Sequence, residues 1–237
     1  MSDKPTRFVG IDGCRAGWFV VSVSGKHLHH QLLQTQDFAY FFNANDVILV
    51  DMPIGLSDTQ NTRTCDALVR QKLGRMYASS VFSPPVRAAL YADTYREACR
   101  INQEKTGKKF SIQSWNICPK IRELDSWLDV HPEYKGQIME SHPELLFMQL
   151  NGNNTLLHKK KTGDGFQKRL ELLSELCDGF EDYFSQIRTS YLKKEVQDDD
   201  ILDAAVLALY ASSIGITNCL PEIPEIDAHG IPMAIYY

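Results

Sequence analysis

The sequence predicts an α/β fold, a mixed sheet flanked by helices, and three observations carry that prediction. Two short apolar runs, residues 7–12 and 47–51, each end in an aspartate. Between them, residues 18–24 are rich in β-branched and aromatic side chains and run into the hairpin signal Ser24-Gly25-Lys26. Beyond residue 59, segments with the helical period dominate.

Each element follows from its residues. Residues 7–12 form a first strand, and Gly13-Cys14-Arg15-Ala16-Gly17 turns it into a second over 18–24. Residues 27–34 return as a third strand, and 37–43 form a short helix. Val47-Ile48-Leu49-Val50 is continuously apolar, as a strand buried on both faces requires. Met52-Pro53 stops it, because proline cannot donate to a ladder. Helices are expected over 64–73, closed by Gly74, and over 93–105 and 117–129. A short strand over 137–140 precedes a helix over 143–150, with Pro143 in its first turn. Another helix includes 171–177. In the last, 199–213, Leu202, Ala205, Val206 and Leu209 follow the i, i+3, i+4, i+7 rule. Three hairpin-connected strands, a helix, a buried strand, a long helical stretch, a short strand and closing helices give the element order of an RNase H-like core. The chain is read as one RNase H-like domain over 1–237, with a helical insertion at about 59–137.

Composition bounds the function. With 43% hydrophobic and 23% charged residues in 237, the chain is an ordinary folded domain. The longest apolar stretch, 201–216, is broken by Asp203, Tyr210, Ser212 and Ser213, so no membrane span is expected. Residues 1–7 are polar and carry no signal-peptide core, and the six cysteines are scattered without a CxxC pair. A soluble, cytoplasmic protein with reduced thiols is expected. The net charge of −5 conceals a division: residues 87–122 hold 8 basic and 3 acidic side chains, residues 151–170 hold 5 and 1, and residues 171–203 hold 3 and 10. Basic segments of this kind can meet a polyanion and acidic ones can hold cations, although solvated helix faces produce the same pattern.

The chemistry concentrates in aspartates. Asp12 ends the first strand, Asp51 ends the buried strand, and Asp200 and Asp203 share a helix face at i, i+3 spacing. If the two strands are neighbours, Asp12 and Asp51 emerge side by side. Carboxylates converging in this way repel unless cations separate them, and an oxygen-only cluster suits two Mg²⁺ or Mn²⁺ ions. Such a pair can clamp the attacking and leaving oxygens of a phosphodiester displacement. Plainer roles exist: Asp12 and Asp51 precede turns, and residues 198–200 can cap a helix. Asp203 resists that treatment, because it lies in an otherwise apolar helix where an unpaired charge is costly. It requires a cationic partner or a metal.

Several blocks carry a resemblance. They are Val9-Gly10-Ile11-Asp12-Gly13-Cys14-Arg15-Ala16-Gly17-Trp18, Asp51-Met52-Pro53-Ile54-Gly55, Ser141-His142-Pro143-Glu144 and Asp199-Asp200-Ile201-Leu202-Asp203-Ala204. Together they resemble the domain-of-unknown-function 429 family, described as predicted RNase H-like nucleases. Ser80-Val81-Phe82 and Lys160-Lys161-Thr162 with Arg169 fit the same pattern. The Asp-x-x-Asp-Ala helix is similar to the closing helix of RuvC-type junction resolvases. The resemblance implies a metal-dependent phosphodiesterase with Asp12, Asp51, Asp200 and Asp203 as metal ligands. Glu144, or else Glu140, would add a carboxylate, with His142 as a general acid/base or as a partner orienting Glu144. By analogy with the resolvases, it also implies a nucleic-acid partner and a homodimer.

Basic residues form a second layer. Lys160, Lys161, Arg169, Arg15, Arg63 and Arg87 can contact phosphate or form salt bridges. Trp115 and Trp127 suit either base stacking or core packing. His27, His29 and His30 lack a nearby acid or thiol, and no GxxxxGK[ST] or GxSxG motif occurs. Two other classes stay open beside the nuclease: a non-catalytic binding or regulatory module, and a phosphotransferase or ATPase on a related fold.

Overall fold

The computed structural model describes residues 6–58 and 63–237, so the first residues of the expected insertion, 59–62, lie outside the described residues. The chain opens with β1 (Phe8–Cys14), β2 (Gly17–Ser24), β3 (His27–Leu33), a short α1 (Phe38–Phe41) and β4 (Val47–Asp51). Then come α2 (Thr64–Tyr77), α3 (Arg87–Leu90), α4 (Tyr95–Thr106), α5 (Ile112–Val130) and β5 (Ile138–Glu140). Helices α6 (Pro143–Leu150), α7 (Gly163–Leu176), α8 (Phe180–Ser190) and α9 (Asp198–Ser213) follow, and β6 (Cys219–Ile226) and β7 (Pro232–Tyr236) close the chain. The main sheet has the order β3-β2-β1-β4-β5. Its β1–β2 and β2–β3 pairs are antiparallel and its β1–β4 pair is parallel. This mixed, helix-flanked sheet is α/β and consistent with the RNase H-like topology expected from the element order.

The differences from expectation are local. Helix α2 runs on to Tyr77, but Gly74 interrupts it with φ 67° and ψ −176°, a conformation that glycine supplies cheaply. Helix α5 begins at Ile112 because the Ser111 side chain accepts from the Ser114 N–H; Pro119 therefore lies inside the helix. Helix α7 starts at Gly163, capped by Thr162. Helix α8 and the β6–β7 ribbon carry no counterpart in the expected element list.

Two compact units divide the chain. The first comprises Met1–Asp51, Ser141–Thr217 and Tyr237, and the second comprises Met52–Glu140 and Asn218–Tyr236. In the first, α9 packs on β1, β2 and β4, and residues 201–211 of α9 are all buried. In the second, β7 packs on α2 and β5. Two buried arginines tie that unit together. Arg63 donates to both oxygens of Glu140 at 2.6 Å and to Asp66 at 3.2 Å. Arg87 donates to Asp227 at 2.6 Å and to Asp125 at 3.1 Å, while Asp227 also accepts from the N–H groups of Leu56, His229 and Ile231. Trp127 is buried against His131 and Tyr134, and Trp115 packs with Tyr95 and Phe110. No helix among the described residues is long and apolar enough to cross a membrane, and all six cysteines are free thiols.

Candidate metal centre

The site is built by register. In the parallel β1–β4 ladder, Asp12 stands directly opposite Asp51, and Gly10 opposite Leu49. Residues two apart share a face of the sheet, so Gly10 and Asp12 point the same way. Gly10 is where α9 seats. A Cβ there would lie 2.1 Å from the Ala204 carbonyl oxygen and 2.7 Å from the Leu207 Cβ, so only glycine admits the helix. From Leu207 to Asp203 the helix advances about 6 Å. From Gly10 to Asp12 the strand advances about 6.6 Å. With α9 seated at Gly10, Asp203 is therefore carried to Asp12. Asp12, Asp51 and Asp203 each offer a carboxylate oxygen, and these oxygens all lie within 4.8 Å of one another.

Burial makes the cluster electrostatically tense. Asp12 is 8% exposed and Asp203 2%. Burial, then the charges of Asp51, Asp203 and Asp200, pushes the Asp12 carboxyl well above the ordinary aspartate value of 3.8. Burial also raises Asp203, opposed by Lys160. The Lys160 Nζ lies 2.5 Å from Asp203 Oδ2 and 3.5 Å from Asp199 Oδ2. Burial pulls the Lys160 pKa down, but the charges of Asp203, Asp12 and Asp51 outweigh it and hold the ammonium protonated. The second oxygen of Asp203, Oδ1, is buried with no hydrogen-bond partner among the described residues. Leaving a buried acceptor unsatisfied costs about 1–3 kcal/mol. Three converging carboxylates, one of them with an orphaned oxygen, form a donor set that fits a hard divalent cation.

The loop before α7 positions Lys160. Thr162 Oγ1 donates to the Lys159 carbonyl at 2.8 Å and accepts from the Gly165 N–H at 3.1 Å. A Cβ at Gly165 would lie 2.0 Å from the Lys159 oxygen, so the loop folds tightly over the helix start. Arg169, fully buried, donates to the carbonyls of His158 and Gly165 and grips both oxygens of Glu144 at 2.8 and 2.6 Å. This planar fork joins α6 to α7 and to the Lys160 loop.

Comparison with known proteins adds one match. A family model described as "Protein of unknown function (DUF429)" matches residues 10–226. The chain belongs to the DUF429 family. Neither the curated proteins nor the solved structures compared with it give a match.

In this DUF429 chain the structure brings together only part of the residue set drawn from sequence. Asp12, Asp51 and Asp203 converge. Asp200 does not join the triad: its carboxylate accepts from the Gln197 N–H at 2.7 Å and closes a capping box at the start of α9. Glu144 is spent on Arg169, and Glu140 lies in the second unit, where it accepts from Arg63 and the Ile54 N–H. Of the two roles open to Arg63, Arg87 and Arg169, phosphate contact or salt bridge, the structure places each buried guanidinium in an ion pair, with Glu140, Asp227 and Glu144 respectively. Lys160 is likewise an ion-pair partner of Asp203. Arg15 and Lys161 are exposed, and His142 is the half-buried N-cap residue of α6. Sequence reasoning missed Gly10 as the seat of α9. An isolated glycine inside a strand pattern is the signal for such a close approach.

Proposed function

We propose that this protein is a divalent-metal-dependent phosphodiesterase acting on nucleic acid, with Asp12, Asp51 and Asp203 as ligands to Mg²⁺ or Mn²⁺. The observation that carries the reading is the buried triad with the unpartnered Asp203 Oδ1. When bound, such ions supply Lewis-acid stabilisation of the phosphoryl charge and acidify a coordinated water. The chain's own part is to hold three carboxylates in one place while excluding bulk water, so that their charge acts in a low-dielectric setting. Lys160 balances the cluster and leaves Asp203 Oδ1 uncommitted. Exposed Arg15, on the turn after Asp12, and Lys161 are available to a phosphate backbone. His142 is the proposed proton carrier.

One observation favours a second reading, a non-catalytic binding module. Lys160 already sets an ammonium on Asp203, as a metal-free structural ion pair would. A cleavage assay separates the two. Labelled single-stranded, duplex, RNA–DNA hybrid and four-way-junction substrates are incubated with Mg²⁺ or Mn²⁺ and wild type or a folded Asp203→Asn variant. Cleavage by wild type alone supports the phosphodiesterase, and cleavage by neither protein supports the binding module.

A further inference from the structure

The second unit contains a cavity of about 770 Å³ that the metal centre does not use. Pockets of about 300–1,000 Å³ are the size that takes small organic ligands. Its lining combines an exposed aromatic, Phe82, a half-buried one, Phe110, and the cations Arg70, Lys108 and Lys109, with Asp66 the one acid opposing them among the described residues. For a chain of net charge −5, that is a locally positive wall.

Three features make the lining a rigid one. Phe82 is 37% exposed, yet both its neighbours are fixed: Arg70 donates to the Val81 carbonyl at 2.7 and 3.1 Å and to the Ser83 hydroxyl at 2.9 Å. Pro84 and Pro85 stiffen the chain that follows. Elsewhere in the lining, the buried Asn102 accepts from the Val86 N–H at 2.9 Å and donates to the Lys108 carbonyl at 2.8 Å. Lys108 and Lys109 are thereby presented on an anchored turn, both exposed, and neither enters an ion pair among the described residues. Ser111, the N-cap of α5, and Ser114, in its first turn, also line the cavity and set the positive end of a 19-residue helix there.

Phe82 thus lines the cavity from a fixed stretch of backbone while keeping 37% of its surface exposed. An aromatic ring and ammonium groups in the lining of one cavity suit an unstacked base joined to a phosphate. We infer that this cavity binds a nucleotide unit, its base stacked on Phe82 and its phosphate held by Lys108 and Lys109. The site stands apart from the metal-centre proposal, since binding there needs neither the triad nor a metal ion.

The test measures binding by the full-length protein in EDTA, where cleavage does not intrude. Fluorescence polarisation follows a labelled deoxythymidine oligonucleotide and, in a second series, labelled adenosine and thymidine monophosphates, with unlabelled nucleotides and inorganic phosphate as competitors. Saturable binding of the oligonucleotide, or of a free nucleotide alone, supports the inference and says which source fills the site. Phe82→Ala should weaken binding about 5- to 150-fold, the equivalent of one base stack. The Lys108→Ala/Lys109→Ala double variant should make the salt dependence shallower by about 1.4 in log–log slope. Both changes are at exposed positions, and unchanged melting confirms that the variants fold. Asp203→Asn should leave this binding intact even if it abolishes cleavage, which separates this site from the metal centre. Absence of saturable binding, binding unaltered in both variants, or competition by phosphate as strong as by nucleotides would overturn the inference.

Discussion

Replacing Gly10 by alanine tests whether the site is built by the close seating of α9 on β1. The added Cβ would meet the Ala204 carbonyl oxygen at 2.1 Å, the Ala208 nitrogen at 2.6 Å and the Leu207 Cβ at 2.7 Å. Two of these are backbone atoms that no rotamer change can remove. Restoring an ordinary contact of 3.4 Å requires α9 to retreat by about 1.3 Å at Ala204. The helix buries residues 201–211 against the sheet, so the retreat loosens packing along its length. Overpacking against backbone costs about 3 kcal/mol. Alanine recovers roughly 0.4–1 kcal/mol by restricting the unfolded chain. A net loss of about 2 kcal/mol lowers the melting temperature by roughly 4–8 °C in a chain of this size. Calorimetry in EDTA measures it, with Gly163→Ala as a control, because a Cβ at Gly163 meets nothing within 4 Å. A Gly10→Ala protein that melts with wild type would refute the seating argument.

Other predictions follow from the same geometry. Lys160→Met removes the cation from a buried Asp203; because the lysine side chain is itself 34% exposed, the metal-free protein should lose about 1–3 kcal/mol in urea titrations, with Mn²⁺ recovering part of the loss. Arg169→Ala leaves Glu144 buried without its partner and should cost about 3–5 kcal/mol, and Arg169→Lys should not restore it, since an ammonium cannot reproduce the two-pronged contact. Burial raises Asp200 to about 6 in the folded protein, so between its ordinary value of 3.8 and 6 the folded state binds more protons than the unfolded chain. Its contribution therefore makes stability fall as pH rises through that window; Asp200→Asn, which can still accept from Gln197, should gain stability over wild type at pH 7 and not at pH 3.5.

Much of the site was legible because strand ends and helix faces are local. An acid closing an apolar run marks where a strand leaves the sheet, which located Asp12 and Asp51. A lone charge among buried alanines and leucines marked Asp203, and its need for a cation is met by Lys160. The buried arginines were illegible for the opposite reason. Arg63 finds Glu140 and Arg87 finds Asp227 at separations of 77 and 140 residues, and no local pattern distinguishes such a residue from a surface phosphate contact. The i, i+3 spacing places Asp200 beside Asp203 and the family resemblance implies a ligand there, yet a capping box uses the same residue type at the same place. The β6–β7 ribbon is not legible in the sequence, because β6 carries two prolines and exposed isoleucines and so lacks the apolar alternation of a core strand.

The most direct test of the central claim is Mn²⁺ binding, followed by electron paramagnetic resonance on the metal-free protein. Wild type should take up Mn²⁺ saturably in the micromolar to millimolar range, and Asp12→Asn and Asp203→Asn should each lose that uptake while keeping the wild-type fold. Uptake by Asp203→Asn equal to wild type, or none by wild type at millimolar Mn²⁺, would contradict the claim that the triad is a metal centre.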